Sequence, residues 1–141
     1  MSRIFWDSML CIYLLDDHPI FAPRVQQLLE RAFKRDDLLF TSYLALGEVL
    51  AGAEKSPDPK KIRTVELVLD EIGFSFLPFD QGAVTPFGHL CAKGKIPIAD
   101  AIHLACAASA GIDLFLTGDK QLVKLDIPGI QFIADFNTPI L

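Results

Sequence analysis

Four carboxylate side chains stand in sequence contexts that are otherwise apolar. Asp7 follows Ile-Phe-Trp, Glu48 lies within Leu-Gly-Glu-Val-Leu, Asp100 follows Ile-Pro-Ile-Ala, and Asp119 closes Leu-Phe-Leu-Thr-Gly-Asp. Aspartate and glutamate are almost never fully buried unless they are paired, so each of these residues needs a partner or a route to water. Carboxylates that converge raise one another's pKa unless a cation lies among them, and oxygen ligands of this kind suit Mg²⁺ or Mn²⁺.

Each carboxylate also has a structural explanation. Asp7 could cap a first helix together with Ser8. Asp100 would sit in the first turn of a helix, where a negative charge interacts favourably with the helix dipole. Asp119 could be a turn residue. Glu48 has no obvious structural use within an apolar helical stripe, so its position favours a functional role most strongly.

The apolar pattern predicts that short strands alternate with helices. Strands are expected at 4–6, 38–40, 74–77 and 114–117, with a weaker one at 131–133. Helices are expected from residue 9 after a Ser8 cap, over 22–34, from a Thr41-Ser42 cap to Gly52, over 62–72, over 81–92 after an Asp80 cap, and from Pro97 to Ala110. This alternation predicts a three-layer α/β/α sandwich around a mostly parallel, short-stranded central sheet.

The predicted sheet offers a common location for the four carboxylates. In an open parallel sheet, the carboxyl ends of the strands line a crevice near the point where the strand order reverses. Asp7 and Asp119 each follow a predicted strand, so we expect both at such a crevice. Glu48 and Asp100 lie on predicted helices and could project into it.

Length and composition limit the classes of protein that the chain can belong to. With 141 residues it has room for a single domain spanning 1–141, and its 51% hydrophobic content excludes a disordered protein. The net charge of −5 excludes nucleic-acid binding through global positive charge, so any such contact must be local. No apolar run is long enough to span a membrane, and the N-terminus lacks a signal-peptide pattern. We expect a cytoplasmic protein with no membrane contact, whose three scattered cysteines are buried and reduced.

The order and context of several short motifs resemble the PIN domain family, and in particular its small single-domain VapC-type toxin ribonucleases. The motifs are Asp7-Ser8, Ser42 with Gly47-Glu48-Val49, Ala99-Asp100-Ala101, and Thr117-Gly118-Asp119. The resemblance implies a PIN-like fold over nearly the whole chain. It also implies a metal-dependent endoribonuclease that leaves a 5′-phosphate and a 3′-hydroxyl. Met9 departs from the small polar residue that many members carry at this position.

The resemblance assigns roles to the candidate residues. The four acidic residues would surround one or two Mg²⁺ or Mn²⁺ ions that activate water, and the hydroxyls of Ser8 and Thr117 would help to position the site. His103 receives no role from the resemblance, and we expect packing or a supporting hydrogen bond for it. The candidate RNA-binding residues, which could equally be solvated surface lysines, are Lys93, Lys95, Lys120 and Lys124.

The resemblance also implies partners, and it leaves one main alternative open. VapC-type toxins are held inactive by a small protein antitoxin and commonly form homodimers, and apolar faces on the helices within 21–33 and 62–72 would permit such contacts. The alternative is a catalytically silent PIN-like module that binds RNA or protein. A phosphatase is disfavoured because Asp7-Ser8-Met9 lacks a second aspartate two residues after the first.

Overall fold

A computed structural model describes residues 1–139 of the chain. Its strands are β1 (Arg3–Trp6), β2 (Leu38–Ser42), β3 (Ser75–Leu77), β4 (Ile112–Thr117) and β5 (Ile130–Asp135). Its helices are α1 (Ser8–Leu15), α2 (Ala22–Arg35), α3 (Tyr43–Glu54), α4 (Lys61–Ile72), α5 (Gln81–Ala92), α6 (Ile98–Ala110) and α7 (Lys120–Val123). No helix among the described residues is long and apolar enough to cross a membrane.

The strands form one sheet in the order β3-β2-β1-β4-β5, and every pairing between neighbours is parallel. The chain builds outward from β1 to β2 and β3, and then crosses to the other side of β1 to form β4 and β5. The strand order therefore reverses between β1 and β4, where an open parallel sheet forms its crevice. The predicted three-layer α/β/α sandwich is confirmed.

The two faces of the sheet carry separate apolar cores. Side chains of β1 alternate between them: Ile4 and Trp6 pack with helices α1 to α4, whereas Phe5 packs with α5, α6 and α7. Phe5 stacks on Phe115 of the neighbouring strand β4 with ring centroids 4.7 Å apart. Because β1 and β4 are packed on both faces, the ends of these strands are held in place, and so are the residues that directly follow them.

Helix α6 crosses one face of the sheet and carries Asp100 in its first turn. It begins after Pro97, which is well suited to a helix start, and its buried side is rich in alanine, so the helix can lie close to the strands. It ends at Gly111, whose φ of +71° favours glycine. The predicted helix is confirmed with its end at Ala110, but it begins at Ile98, one residue later than predicted, because Pro97 is its N-cap.

Several local predictions were wrong. Asp7, not Ser8, caps α1, since its side chain accepts the backbone N–H of Ser8. Helix α3 does not close at Gly52 but continues to Glu54, because Gly52 keeps helical geometry rather than a positive φ. Only Ser42 caps α3, whereas Thr41 belongs to β2 and donates a hydrogen bond to the Trp6 carbonyl.

Other predictions concern α5, α7 and the cysteines. The Asp80 cap of α5 is confirmed, since its side chain accepts the N–H of Gly82. The four-residue helix α7 was not predicted, because it is too short to show an apolar period. The expectation of buried thiols is confirmed for Cys11 and Cys106 and wrong for Cys91, which is exposed.

Candidate active site

Asp7 lies at the point where the strand order reverses, and two contacts hold it there. Its backbone N–H donates to the Leu116 carbonyl of β4 at 2.9 Å, so the end of β1 is tied to its neighbour. The Thr117 hydroxyl, fully buried, donates to Asp7 Oδ2 at 2.8 Å. Asp7 Oδ1 accepts the Ser8 N–H at 2.8 Å as the α1 cap. Both carboxylate oxygens therefore have a partner, and the buried side chain has one orientation.

Asp119 is linked to Asp7 through the same threonine. The Asp119 N–H donates to Thr117 Oγ1 at 3.1 Å, while that hydroxyl donates its own hydrogen to Asp7. Asp119 Oδ1 accepts the Gln121 N–H at 2.9 Å and so caps α7. Its side chain is exposed. The turn after β4 thus places a second carboxylate beside the first, with one oxygen free of the cap.

Glu48 is bound to a buried histidine on another helix. Its Oε1 lies 2.6 Å from Nε2 of His103 on α6, and Nδ1 of the same ring lies 2.7 Å from Ser42 Oγ. Ser42 Oγ also accepts the Ala45 N–H as the α3 cap, so its hydrogen is available to Nδ1. This pattern favours the tautomer with the ring hydrogen on Nε2, which then donates to Glu48. The supporting hydrogen bond expected for His103 is confirmed.

The Ser42, His103 and Glu48 side chains do not form a nucleophilic triad. Ser42 has 0% exposure and its oxygen already caps a helix, so no substrate can reach it. Nucleophilic catalysis needs a hydroxyl that the substrate can approach. The group instead leaves the Glu48 side chain, which is 38% exposed, with its carboxylate at the end of a buried chain of hydrogen bonds.

Asp100 shows that the four carboxylates share one electrostatic environment. Its pKa is raised first by burial, and then by the negative charges of Asp7, Asp119 and Glu48, while His103 opposes the rise. The ion pairs Arg35–Asp37 and Lys61–Asp16 lie outside this group. We call Asp7, Glu48, Asp100 and Asp119 the acidic cluster.

The chemistry of the acidic cluster fits a hydrated divalent cation but not a closed cage of side chains. No three His, Cys, Asp or Glu residues within 1–139 are placed so that they could hold a metal ion together. Mg²⁺ usually keeps several waters and takes one or two carboxylates, with substrate phosphate completing its shell. Neighbouring carboxylates that raise the pKa of Asp100 supply the hard oxygen ligands and the uncompensated charge for such an ion.

A groove of about 650 Å³ begins at Asp119 and runs between the loop before α6 and the segment around α7. Three of the four lysines singled out in the sequence line it: Lys93, Lys95 and Lys124. Lys120, the first residue of α7, is exposed and is not among the residues that line it. Asp126 also lines the groove, so its charge is mixed rather than uniformly positive.

Comparisons with known proteins place the chain in a family. The sequence model of the PIN domain matches residues 4–128, most of the chain. The chain therefore belongs to the PIN domain family. A search of curated protein sequences found no match.

Solved structures share the fold at low sequence identity. A chain of the VapBC2 complex of Rickettsia felis, bound to a promoter DNA fragment, superposes with a TM-score of 0.77 and 16% identity, covering 94% of this chain and 98% of that one. A chain of the DNA-bound VapBC of Salmonella typhimurium gives 0.73 and 22%, covering 96% and 99%. The Mycobacterium tuberculosis toxin VapC20, which cleaves the sarcin-ricin loop, gives 0.64 and 13%, covering 87% and 96%.

Proposed function

We propose that this PIN domain is a Mg²⁺- or Mn²⁺-dependent endoribonuclease that acts in the cytoplasm as the toxin of a type II toxin-antitoxin pair. The observation that carries the proposal is the acidic cluster at the reversal point between β1 and β4. Thr117 fixes Asp7 there by a hydrogen bond, and the negative charges of the other three carboxylates contribute to the raised pKa of Asp100. A fold alone does not define a function, but a group of carboxylates at the crevice of the sheet is suited to binding a divalent cation.

The acidic cluster would hold the cation. Asp7 is the member whose two carboxylate oxygens are both hydrogen-bonded within the protein. Asp100, Asp119 and Glu48 would complete the negative environment, partly through water. When bound, the ion neutralises phosphate charge and lowers the pKa of a coordinated water, which suits phosphodiester hydrolysis.

The lysines of the groove explain how an acidic protein can bind an anionic substrate. Lys93, Lys95 and Lys124 lie along a channel that reaches Asp119, so a phosphate backbone in the channel would lead to the acidic cluster. Phosphate contacts of this type position a nucleic acid without reading its sequence. Lys120 would contribute from outside the groove, at the start of α7.

The partners follow from the relatives and from exposed apolar side chains. The VapBC structures that share this fold are toxin-antitoxin complexes, which supports a small protein antitoxin for this chain. Phe33 on α2 and Leu67 on α4 are each 53% exposed, and such side chains would be covered by an antitoxin or by a second copy in a homodimer.

Cleavage of single-stranded RNA tests the proposal. The purified protein, free of partner, is incubated with a mixed RNA panel in Mg²⁺, in Mn²⁺ or in EDTA, beside Asp7→Ala and the exposed control Asp70→Ala. We expect cutting that requires metal, disappears in Asp7→Ala, persists in Asp70→Ala, and leaves 5′-phosphate ends. A folded protein that binds the panel but cuts nothing with either metal would support the alternative, a silent RNA-binding module.

A further inference from the structure

A buried histidine connects the two helices that carry Glu48 and Asp100. His103 lies three residues after Asp100 on α6, and its ring reaches α3 through both nitrogens, to Ser42 at the start of that helix and to Glu48 within it. The distances of 2.7 and 2.6 Å are those of well-formed hydrogen bonds. This contact ties the two helices together beside the acidic cluster.

The histidine restricts a side chain that is otherwise free to move. Glu48 is 38% exposed, and a glutamate on a helix surface samples many rotamers because it has three rotatable bonds. The ring of His103 is fully enclosed and is itself fixed by Ser42, so its Nε2–H has one direction. A donor with a fixed direction favours the Glu48 rotamers in which Oε1 accepts the hydrogen of Nε2. In these rotamers, Oε2 makes no bond to the ring and is available to a cation.

We propose that His103 is a positioning residue that orients the Glu48 carboxylate toward the other three carboxylates of the acidic cluster, and that Ser42 keeps the histidine in the required tautomer. The inference rests on the proposed function, since it assigns Glu48 a task at the metal site. Partners of this kind, which hydrogen-bond a ligand rather than the metal, commonly affect metal affinity about 10- to 100-fold.

Two amide variants separate positioning from simple core packing. The amide nitrogen of a glutamine at 103 reaches about as far along the side chain as Nε2, so His103→Gln can still donate to Glu48. The amide of an asparagine reaches only as far as Nδ1, so His103→Asn keeps a contact with Ser42 but no longer reaches Glu48. Both variants place a neutral amide in the same buried position. If His103 only filled space in the core, the two variants should therefore have similar Mn²⁺ affinities.

The readout is Mn²⁺ affinity, measured by isothermal titration in the absence of RNA, with thermal unfolding as a check of folding. We expect His103→Asn to weaken Mn²⁺ binding by about 10- to 100-fold and His103→Gln to recover most of the loss. In a Glu48→Gln background, His103→Asn should cause no further loss, because the histidine acts through Glu48. Equal affinity in wild type and His103→Asn, or additive losses in the double variant, would overturn the inference.

A second measurement keeps this inference distinct from the proposed function. Nitrogen-15 shifts of the His103 ring in the wild-type protein should report a hydrogen on Nε2, and Glu48→Gln should alter the Nε2 signal. If Mn²⁺ binds and RNA is cut but the ring hydrogen is on Nδ1, the inference fails alone. If the protein neither binds Mn²⁺ nor cuts RNA, the proposed function fails and the inference falls with it.

Discussion

Thr117 Oγ1 donates a 2.8 Å hydrogen bond to Asp7 Oδ2, and this contact joins the carboxyl ends of the two strands between which the sheet order reverses. The same oxygen accepts the N–H of Asp119. One hydroxyl therefore sets the relative placement of two carboxylates that lie 112 residues apart in the chain, a separation given by their numbering. We therefore expect the site to depend on this hydroxyl as well as on the acids.

Replacing this hydroxyl with a methyl group should damage both stability and activity. Thr117→Val keeps the shape of the side chain but leaves a buried oxygen of Asp7 and the N–H of Asp119 without a protein partner. Removing the partner of a buried polar group costs about 1–3 kcal/mol, which chemical denaturation measures. We expect RNA cleavage to fall by more than this stability loss explains, because Asp7 is no longer held in one orientation.

Thr41→Val is the matched control for that variant. The Thr41 hydroxyl is equally buried and donates to the Trp6 carbonyl at 2.8 Å, next to Asp7 in sequence but outside the acidic cluster. We expect a similar stability loss of about 1–3 kcal/mol with cleavage close to wild type in conditions where the protein is folded. Equal loss of cleavage in Thr41→Val and Thr117→Val would contradict the role assigned to Thr117.

The stability of the metal-free protein should depend on the charge of Asp100. Its pKa is raised in the folded state, above the unfolded value of about 3.9, so ionisation stabilises the unfolded chain more than the folded one. The favourable contribution of the protonated group is complete below the unfolded pKa and is lost as pH rises through the folded pKa. In EDTA, Asp100→Asn should therefore unfold at a higher temperature than wild type at pH 7.

The advantage of Asp100→Asn should shrink as the pH falls toward 3.5, where Asp100 is mostly protonated in both states; that pH lies below the ordinary aspartate pKa of about 3.9. Thermal unfolding at the two pH values measures the difference. The exposed residue Asp70 provides the control, and Asp70→Asn should show little change between them. An Asp100→Asn variant that is no more stable than wild type at pH 7 would contradict this electrostatic picture of the acidic cluster.

The lysines of the groove should control RNA affinity rather than the rate of the chemical step. Changing Lys93, Lys95 or Lys124 to glutamine should weaken binding in EDTA. Each change should also reduce the slope of log affinity against log salt by about 0.7 for every phosphate of a single strand that the lysine had neutralised. Lys60→Gln, at the start of α4 and away from the groove, should leave the slope unchanged. Unchanged slopes in all three groove variants would show that RNA takes another path.

Sequence patterns were sufficient for the architecture, because long apolar periods and strand-helix alternation carry most of the information about a parallel α/β fold. The positions of Asp7 and Asp119 followed from the rule that the carboxyl ends of parallel strands line the crevice where the strand order reverses. Caps and short helices were harder to predict. Whether Asp7 or Ser8 caps α1 depends on backbone angles at one residue, and α7 is a single turn that Asp119 initiates. Such features lack a periodic signal.

The contact between Glu48 and His103 could not be predicted from local sequence. The two residues are 55 positions apart, and no short motif contains both. The available signal was a polar pair in apolar surroundings, since a lone glutamate on α3 and a lone histidine on α6 each require a partner once buried or half-buried. Searching for such unmatched polar residues on different helices would have suggested the pair without identifying its geometry.

The most direct test of the central claim is the single-turnover rate of RNA cleavage after metal is removed and restored, in wild type and in alanine variants of the acidic cluster. Wild type should be inactive in EDTA and recover fully when excess Mn²⁺ is added, whereas Asp7→Ala, Asp100→Ala and Asp119→Ala should remain inactive and Asp70→Ala should behave as wild type. Cleavage that continues in EDTA, or that survives loss of Asp7, would contradict the account.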